Sequence, residues 1–99
     1  MIDNMKARLI TRHKDVSPEG WITEISIWRV PEPVPPSSHL FKYSMVFVVD
    51  GNRVIGFDNE RGKGDHCHIN GKEAPYHFSG LKKLAEDFIA EVETWKNEH

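Results

Sequence analysis

The stretch "LFKYSMVFVVDGNRVIGFDNE", residues 40–60, decides the fold. The odd positions of Phe41–Val49 are all apolar or aromatic, which is the pattern of a strand with one buried face. Asp50-Gly51-Asn52 then has the composition of a tight turn, and Arg53–Phe57 returns as a second strand. The stretch therefore predicts a β-hairpin. Gly56, inside the returning strand, indicates a bulge or the close approach of another group.

Strand signals also precede this hairpin. Residues 6–12, "KARLITR", are predicted as a first strand, and "KDVSPEG" after them has the composition of a turn. In "WITEISIWRV", residues 21–30, β-branched and apolar side chains alternate with polar ones often enough to predict another strand. Trp21 and Trp28 differ in parity and are expected on opposite faces. "PEPVPPSSH", which holds four of the six prolines, is predicted to be an irregular loop.

The C-terminal part of the chain changes from a strand period to a helix period. Asn70-Gly71 predicts a second hairpin between residues 66–69 and 74–78. After Ser79, apolar residues recur at helical spacing, which predicts an amphipathic helix of about sixteen residues with Ser79 as its N-cap. The whole pattern predicts one α+β domain over residues 1–99. About four or five antiparallel strands would carry the C-terminal helix on one face.

The composition limits the classes of protein to which the chain can belong. With 99 residues, 38% of them hydrophobic, it has enough apolar side chains for one modest core. A formal net charge of -2 argues against strong whole-molecule attraction to nucleic acid or membranes, so any basic site must be local. The single cysteine cannot form an internal disulfide. The sequence has neither a membrane-spanning apolar run nor the apolar core of a signal peptide, so we expect a cytoplasmic protein without membrane contact.

Residues 57–72, "FDNERGKGDHCHINGK", hold the side chains best suited to chemistry. A segment that only turned the chain would not need three acids, two histidines and the only cysteine in so short a space. If His66–His68 is extended, the strand period places both imidazoles on one face and Cys67 on the other. Lys72 and Glu73, which follow the Asn-Gly pair, have the character of ordinary turn charges.

One interpretation of the two imidazoles is the cleavage of an RNA phosphodiester. One histidine would remove the proton of the 2′-hydroxyl, and the other would protonate the leaving oxygen. Lys63, Arg61 or Lys42 would stabilise the extra phosphoryl charge. We therefore predict His66 and His68 as an acid–base pair that needs no cofactor.

Two other interpretations stay open. His66 and His68 could hold a divalent metal together with Asp58, Asp65 or the distant His39, because nitrogen and oxygen ligands are the donors that such ions use. Alternatively, the segment is a solvated polar loop whose side chains satisfy local backbone groups.

Three segments have a distinctive combination of residues: "WRVPEPVPPSSHLFKY" (28–43), "GFDNERGKGDHCH" (56–68) and "PYHFSGLKKLAEDFIAEV" (75–92). Together they resemble the TumE family of small bacterial toxins, and the likeness covers residues 21–92. The resemblance implies a toxin that is neutralised by an antitoxin with a helix-turn-helix DNA-binding domain. Ribonuclease activity is extrapolated from the wider class of small toxins, many of which cut messenger RNA. A toxin that acts only by binding another protein is the third hypothesis.

The predicted site residues fall into a catalytic and a substrate-binding set, and all of them except Arg61 are motif positions carried over from the family. The predicted catalytic residues are Asp58, Arg61, Lys63, His66 and His68, with Asp58 orienting one imidazole. The predicted substrate-binding residues are Asn59, His39, Lys42 and Tyr43. Two positions depart from the pattern, because Phe57 stands where a tyrosine is expected and Cys67 where a basic residue is frequent.

Overall fold

The computed structural model describes residues 6–99. Residues 1–5, on which part of the expectation of no signal peptide rests, lie outside the described part. Six antiparallel strands form one sheet in the order of the sequence, and a helix follows them. The elements are β1 (Arg8–Val16), β2 (Ile22–Arg29), β3 (Phe41–Val49), β4 (Asn52–Glu60), β5 (Gly64–Ile69), β6 (Lys72–Pro75) and α1 (Leu81–Glu98). The α+β class is confirmed. Among residues 6–99, no helix is both long and apolar enough to cross a membrane.

The predicted count of four or five strands is too low, because the second hairpin belongs to the main sheet. β5 pairs with β4 along its whole length, from Gly64 opposite Glu60 to Ile69 opposite Ile55. β6 then adds a short edge strand that ends at Pro75, before the predicted end at residue 78. The sheet therefore continues without a break from β1 to β6.

The boundaries of the first strand and of the helix also differ from the prediction. β1 starts at Arg8 and runs to Val16, because residues with turn-like composition still pair with β2. All nine residues of this edge strand are exposed, so charged side chains are tolerated there. The helix follows Gly80, which makes no side-chain cap, so Ser79 as the N-cap is wrong.

The two faces of the sheet have different environments. Tyr43, Met45 and Phe47 of β3 are buried against α1, which contributes buried residues Leu84, Phe88, Val92 and Trp95 to the same core. We call this side the helix face. The opposite side, where Lys42 and Ser44 alternate with those core residues, is the open face.

The two tryptophans of the β2 region confirm this division. Trp21 makes edge contacts with Phe47 and Trp95 in the core. Trp28 pairs with Lys42 on the open face, and the guanidinium of Arg12 lies 5.9 Å from its ring. Opposite parity along one strand thus predicts opposite environments correctly.

Candidate functional site

Strand register brings a group of titratable side chains together on the open face. Asp58 of β4 is directly opposite His66 of β5, and Glu73 of β6 is directly opposite His68. Directly paired residues share a face, and residues two apart along a strand share it too, which adds Glu60. We call Asp58, Glu60, His66, His68 and Glu73 the open-face cluster. The prediction that both imidazoles lie on one face is confirmed, and their ring centroids are 5.3 Å apart.

His66 lies at the centre of this cluster. Its side chain is only 5% exposed, and its Nε2 lies 2.6 Å from Asp58 Oδ1, 3.5 Å from Glu73 Oε2 and 3.6 Å from Glu60 Oε1. Its other nitrogen, Nδ1, is 2.9 Å from the carbonyl oxygen of Gly64. A carbonyl can only accept, so Nδ1 carries a proton and donates it there.

The contact between His66 and Asp58 is close but is not a hydrogen bond. Both His66 Nε2 and Asp58 Oδ1 are buried and lack a hydrogen-bond partner of acceptable geometry, although they lie 2.6 Å apart. Buried polar atoms in native proteins are nearly always paired, so an orphaned pair needs a physical reason. A nitrogen lone pair facing a carboxylate oxygen requires a proton or a cation near the two atoms.

His68, Glu73 and Lys63 form the more accessible side of the cluster. The His68 side chain is 19% exposed, and its Nε2 lies 3.6 Å from Glu73 Oε2. Lys63 Nζ is 2.6 Å from the same carboxylate oxygen. Their hydrogen bond lowers the pKa of Glu73 and raises the pKa of Lys63. Lys63 is therefore ion-paired with Glu73.

A second polar cluster lies on the helix face. The Asp65 carboxylate accepts hydrogen bonds from Ser37 Oγ at 2.6 Å, His39 Nε2 at 2.7 Å and Tyr43 Oη at 2.7 Å. His39 Nδ1 in turn accepts the backbone N–H of Phe41, which leaves the proton on Nε2. His39 also stacks on Phe78, with ring centroids 3.8 Å apart.

The pKa shifts in this second cluster follow from burial and hydrogen bonding. Burial acts to raise the pKa of Asp65, but the hydrogen bonds from Ser37, Tyr43 and His39 outweigh it, so the pKa lies below its ordinary value. Burial, then the hydrogen bond to Asp65, raises the pKa of Tyr43. An ionised carboxylate surrounded by donors and an un-ionised phenol are features of a stabilising network.

Asn59 connects this network to the backbone and is fully buried. Its Oδ1 accepts the N–H of Tyr43 at 3.0 Å, and its Nδ2 donates to the Phe41 carbonyl at 2.8 Å and to Ser37 Oγ at 3.3 Å. Asn59, His39 and Tyr43, which we predicted to bind substrate, therefore do not share a surface with His66. The expectation that His39 and Asp65 join the two imidazoles at a metal is wrong for the same reason.

The cationic residues predicted for the site also lie at different places on the surface. Arg61 lines a separate depression of about 260 Å³ with the proline-rich loop, away from the depression that contains Lys63 and His66. Lys42 lies on the open face and donates to the Asn59 carbonyl oxygen. Positive side chains around the imidazoles are therefore fewer than the sequence led us to expect, and the nearest charged neighbours of His66 are carboxylates.

Sequence reasoning missed two open-face residues, Glu60 and Glu73. Glu60 has the parity of Asp58, and a two-residue Asn-Gly turn places Glu73 opposite His68, so both could have been found from pairing rules. Arg53 lies over Gly56, where a Cβ would meet its Cδ at 2.9 Å. This contact explains the glycine, and it places a guanidinium stem beside the strand position that pairs with His68.

Cys67 points to the helix face, as its position between the two histidines predicts. Burial raises the pKa of its thiol, which disfavours the thiolate that a nucleophile needs.

Comparison with known proteins gives a family match. The family model described as "Toxin TumE" matches residues 5–96, nearly the whole chain. No match is found among curated proteins or among solved structures.

Proposed function

The chain belongs to the TumE family of toxins, and from this premise we propose that it is an endoribonuclease whose active site is the open-face cluster. The observation that carries the proposal is the convergence of His66, His68 and three carboxylates on one face of the sheet, where strand pairing fixes their positions. Proton transfer at neutral pH is the chemistry that imidazoles beside carboxylates perform best. A face that only bound a protein partner would not need a buried histidine surrounded by acids.

The geometry favours different roles for the two histidines. His66 is buried, and both of its ring nitrogens face fixed groups, so it organises the cluster. His68 is more exposed and is the imidazole that a substrate can reach. We assign to His68 the removal of the RNA 2′-hydroxyl proton. O2′ then bonds to phosphorus, the bond from phosphorus to O5′ breaks, and O5′ takes a proton from water.

Substrate binding on the open face relies on local rather than global charge. Arg53 beside Gly56, Lys42 opposite Trp28 and Arg12 beside Trp28 are among the cations on this side of the sheet. Phosphate contacts of this kind give affinity without sequence preference. Trp28 offers an indole ring on which a base can stack. RNA should therefore cross β2, β3 and β4 to reach His68.

The antitoxin is the expected protein partner. A toxin family implies a neutralising protein, and we propose that it carries a helix-turn-helix DNA-binding domain and covers the open face. Direct cover would block RNA and stop the reaction without unfolding the toxin. The chain would act in the cytoplasm, where messenger RNA is accessible.

RNA cleavage by the purified toxin tests the proposal. Wild-type protein should cut single-stranded RNA and leave DNA of the same sequence intact, because DNA lacks the 2′-hydroxyl. Loss of a general base should slow the reaction by about 10²–10⁴-fold, so His68→Asn should be almost inactive. His77→Asn, which changes an exposed histidine outside the cluster, is the matched control. The assay is run with and without Mn²⁺. RNA left intact by the wild type in both buffers, or undiminished cleavage by His68→Asn, would contradict the proposal.

A further inference from the structure

We infer that the open-face cluster binds one divalent cation of the Mn²⁺ type through His66 Nε2, Asp58 Oδ1 and Glu60 Oε1. Each of the three residues offers one ligand atom, and these atoms all lie within 4.8 Å of one another. The binding of the ion stands on the geometry alone. Its part in catalysis rests on the proposed function.

The orphaned pair of atoms is the first observation that points to a ligand. His66 Nε2 is buried, is directed at Asp58 Oδ1, and neither atom has a hydrogen-bond partner. Both are ordinary metal ligands, and both would be satisfied by a single ion. Ligand atoms about 2.1 Å from a tetrahedral or octahedral ion are about 3.0–3.4 Å apart. The separations from His66 Nε2, 2.6 Å to Asp58 and 3.6 Å to Glu60, lie on either side of that range, so shifts of a few tenths of an ångström bring both into it.

The other nitrogen of His66 supplies an independent second observation. Its Nδ1 donates to the carbonyl oxygen of Gly64, which puts a proton on Nδ1, so the neutral imidazole has its lone pair on Nε2. Metal-binding histidines almost always donate their second ring nitrogen to a carbonyl or carboxylate in this way. The hydrogen bond fixes both the tautomer and the ring orientation that a metal ligand needs.

The charges around His66 leave room for a dication. Asp58, Glu60 and Glu73 all approach Nε2 within 4 Å, and Lys63 is paired with Glu73. With neutral imidazoles, three carboxylates and one ammonium leave two negative charges uncompensated. A divalent ion neutralises these two charges, which would otherwise repel an RNA phosphate. Bound there, it would supply the positive charge that Arg61 was expected to bring to the reacting phosphoryl group.

The ligand set selects the kind of ion. Carboxylates suit Mg²⁺, Ca²⁺ and Mn²⁺, whereas imidazole suits the transition metals, and Mn²⁺ accepts both. The absence of a thiolate from the set disfavours soft ions, since Cys67 faces the other side of the sheet. His68 remains outside the three-ligand set and keeps its nitrogen for proton transfer. Mn²⁺ should therefore bind more tightly than Mg²⁺.

Mn²⁺ titration of the full chain, followed by electron paramagnetic resonance of the free ion, tests the inference without an activity readout. The wild type should bind one Mn²⁺ per chain. Asp58→Asn and Glu60→Gln should each weaken binding by at least about tenfold, because even the loss of a group that only supports a ligand costs about 10–100-fold. The Glu60 side chain is 54% exposed, so its variant keeps the fold even if a change at a buried ligand does not. Glu98→Gln, at the exposed end of α1, is the matched control and should bind like the wild type.

Lys63→Met tests whether the positive charge of the site comes from a bound metal or from protein side chains. Removal of the ammonium should leave Mn²⁺ affinity unchanged or make it tighter, because Glu73 is released from its 2.6 Å pair. No binding of Mn²⁺ by the wild type, or equal affinity in Glu60→Gln and Glu98→Gln, would overturn the inference. RNA cleavage that persists in excess chelator would refute the catalytic role of the ion and leave the proposed ribonuclease intact. Mn²⁺ binding without RNA cleavage would refute the proposed ribonuclease and leave the metal site intact.

Discussion

Asn59→Ala should strongly reduce the free energy of unfolding, because Asn59 is a structural residue of the helix face. The side chain is 0% exposed and makes three hydrogen bonds, two of them to backbone groups of β3. The variant leaves the N–H of Tyr43 and the carbonyl of Phe41 without partners. Each buried group left unsatisfied costs about 1–3 kcal/mol, so we expect a loss of about 3 kcal/mol in the free energy of unfolding. That is a large fraction of the roughly 5–15 kcal/mol typical of a domain.

Urea denaturation followed by circular dichroism measures this loss. With a slope of about 1.5 kcal/mol/M, the midpoint should fall by about 2 M. Asn52→Ala is the matched control, because Asn52 is exposed and its one contact, to the Asp50 carbonyl, is long at 3.5 Å. Asn59→Asp should also be destabilising, because it removes both donors and faces Asp65 across the strand pair. A midpoint within about 0.5 M of the wild type for Asn59→Ala, with weaker RNA binding, would refute the structural role and restore the substrate-binding one.

Two further predictions concern the supports of the two clusters. Gly64→Ala should cost about 1–2 kcal/mol or more in thermal or urea unfolding, because Gly64 has φ +76° and a Cβ there would meet Pro36 Cγ at 3.0 Å; an unchanged midpoint would contradict this. Asp65→Asn should be about 2 kcal/mol less stable than the wild type near neutral pH, because charge-assisted hydrogen bonds are lost. The folded pKa of Asp65 lies below its unfolded value of about 3.9, so this advantage is complete above that value and disappears as the pH falls through the folded pKa. Unfolding of both proteins measured from neutral pH down to pH 3 checks the sign, and a gap that widens toward low pH would contradict it.

The parts of the fold that the sequence predicted correctly depend on local pattern. Alternation in Phe41–Val49 and the Asp-Gly turn determined the central hairpin, and the helical period after Ser79 determined α1. The bounds of the exposed edge strand β1 were harder to predict, because β1 has no buried face and its last residues have the composition of a turn. Only pairing with β2 shows that Lys14 and Asp15 are in the sheet.

The candidate site was predicted in part for a similar reason. Parity within one strand placed His66 and His68 together, and the structure confirms it. The same parity places Asn59 on the face away from Asp58 and Asp65 on the face away from His66, so the expectation that they join the imidazoles conflicts with the strand period itself. The contact between Ser37 and Asp65 could not be predicted, because the proline-rich loop that holds Ser37 has an irregular backbone without a period.

Growth arrest on expression of the toxin without its antitoxin tests the central claim most directly. His68→Asn on the open face and His13→Asn on the exposed strand β1 change the same side chain at different places in the sheet. With equal amounts of folded protein in the cell, His68→Asn should allow normal growth and His13→Asn should arrest it like the wild type. Full growth arrest by folded His68→Asn would contradict the claim that the toxin acts through the open-face cluster.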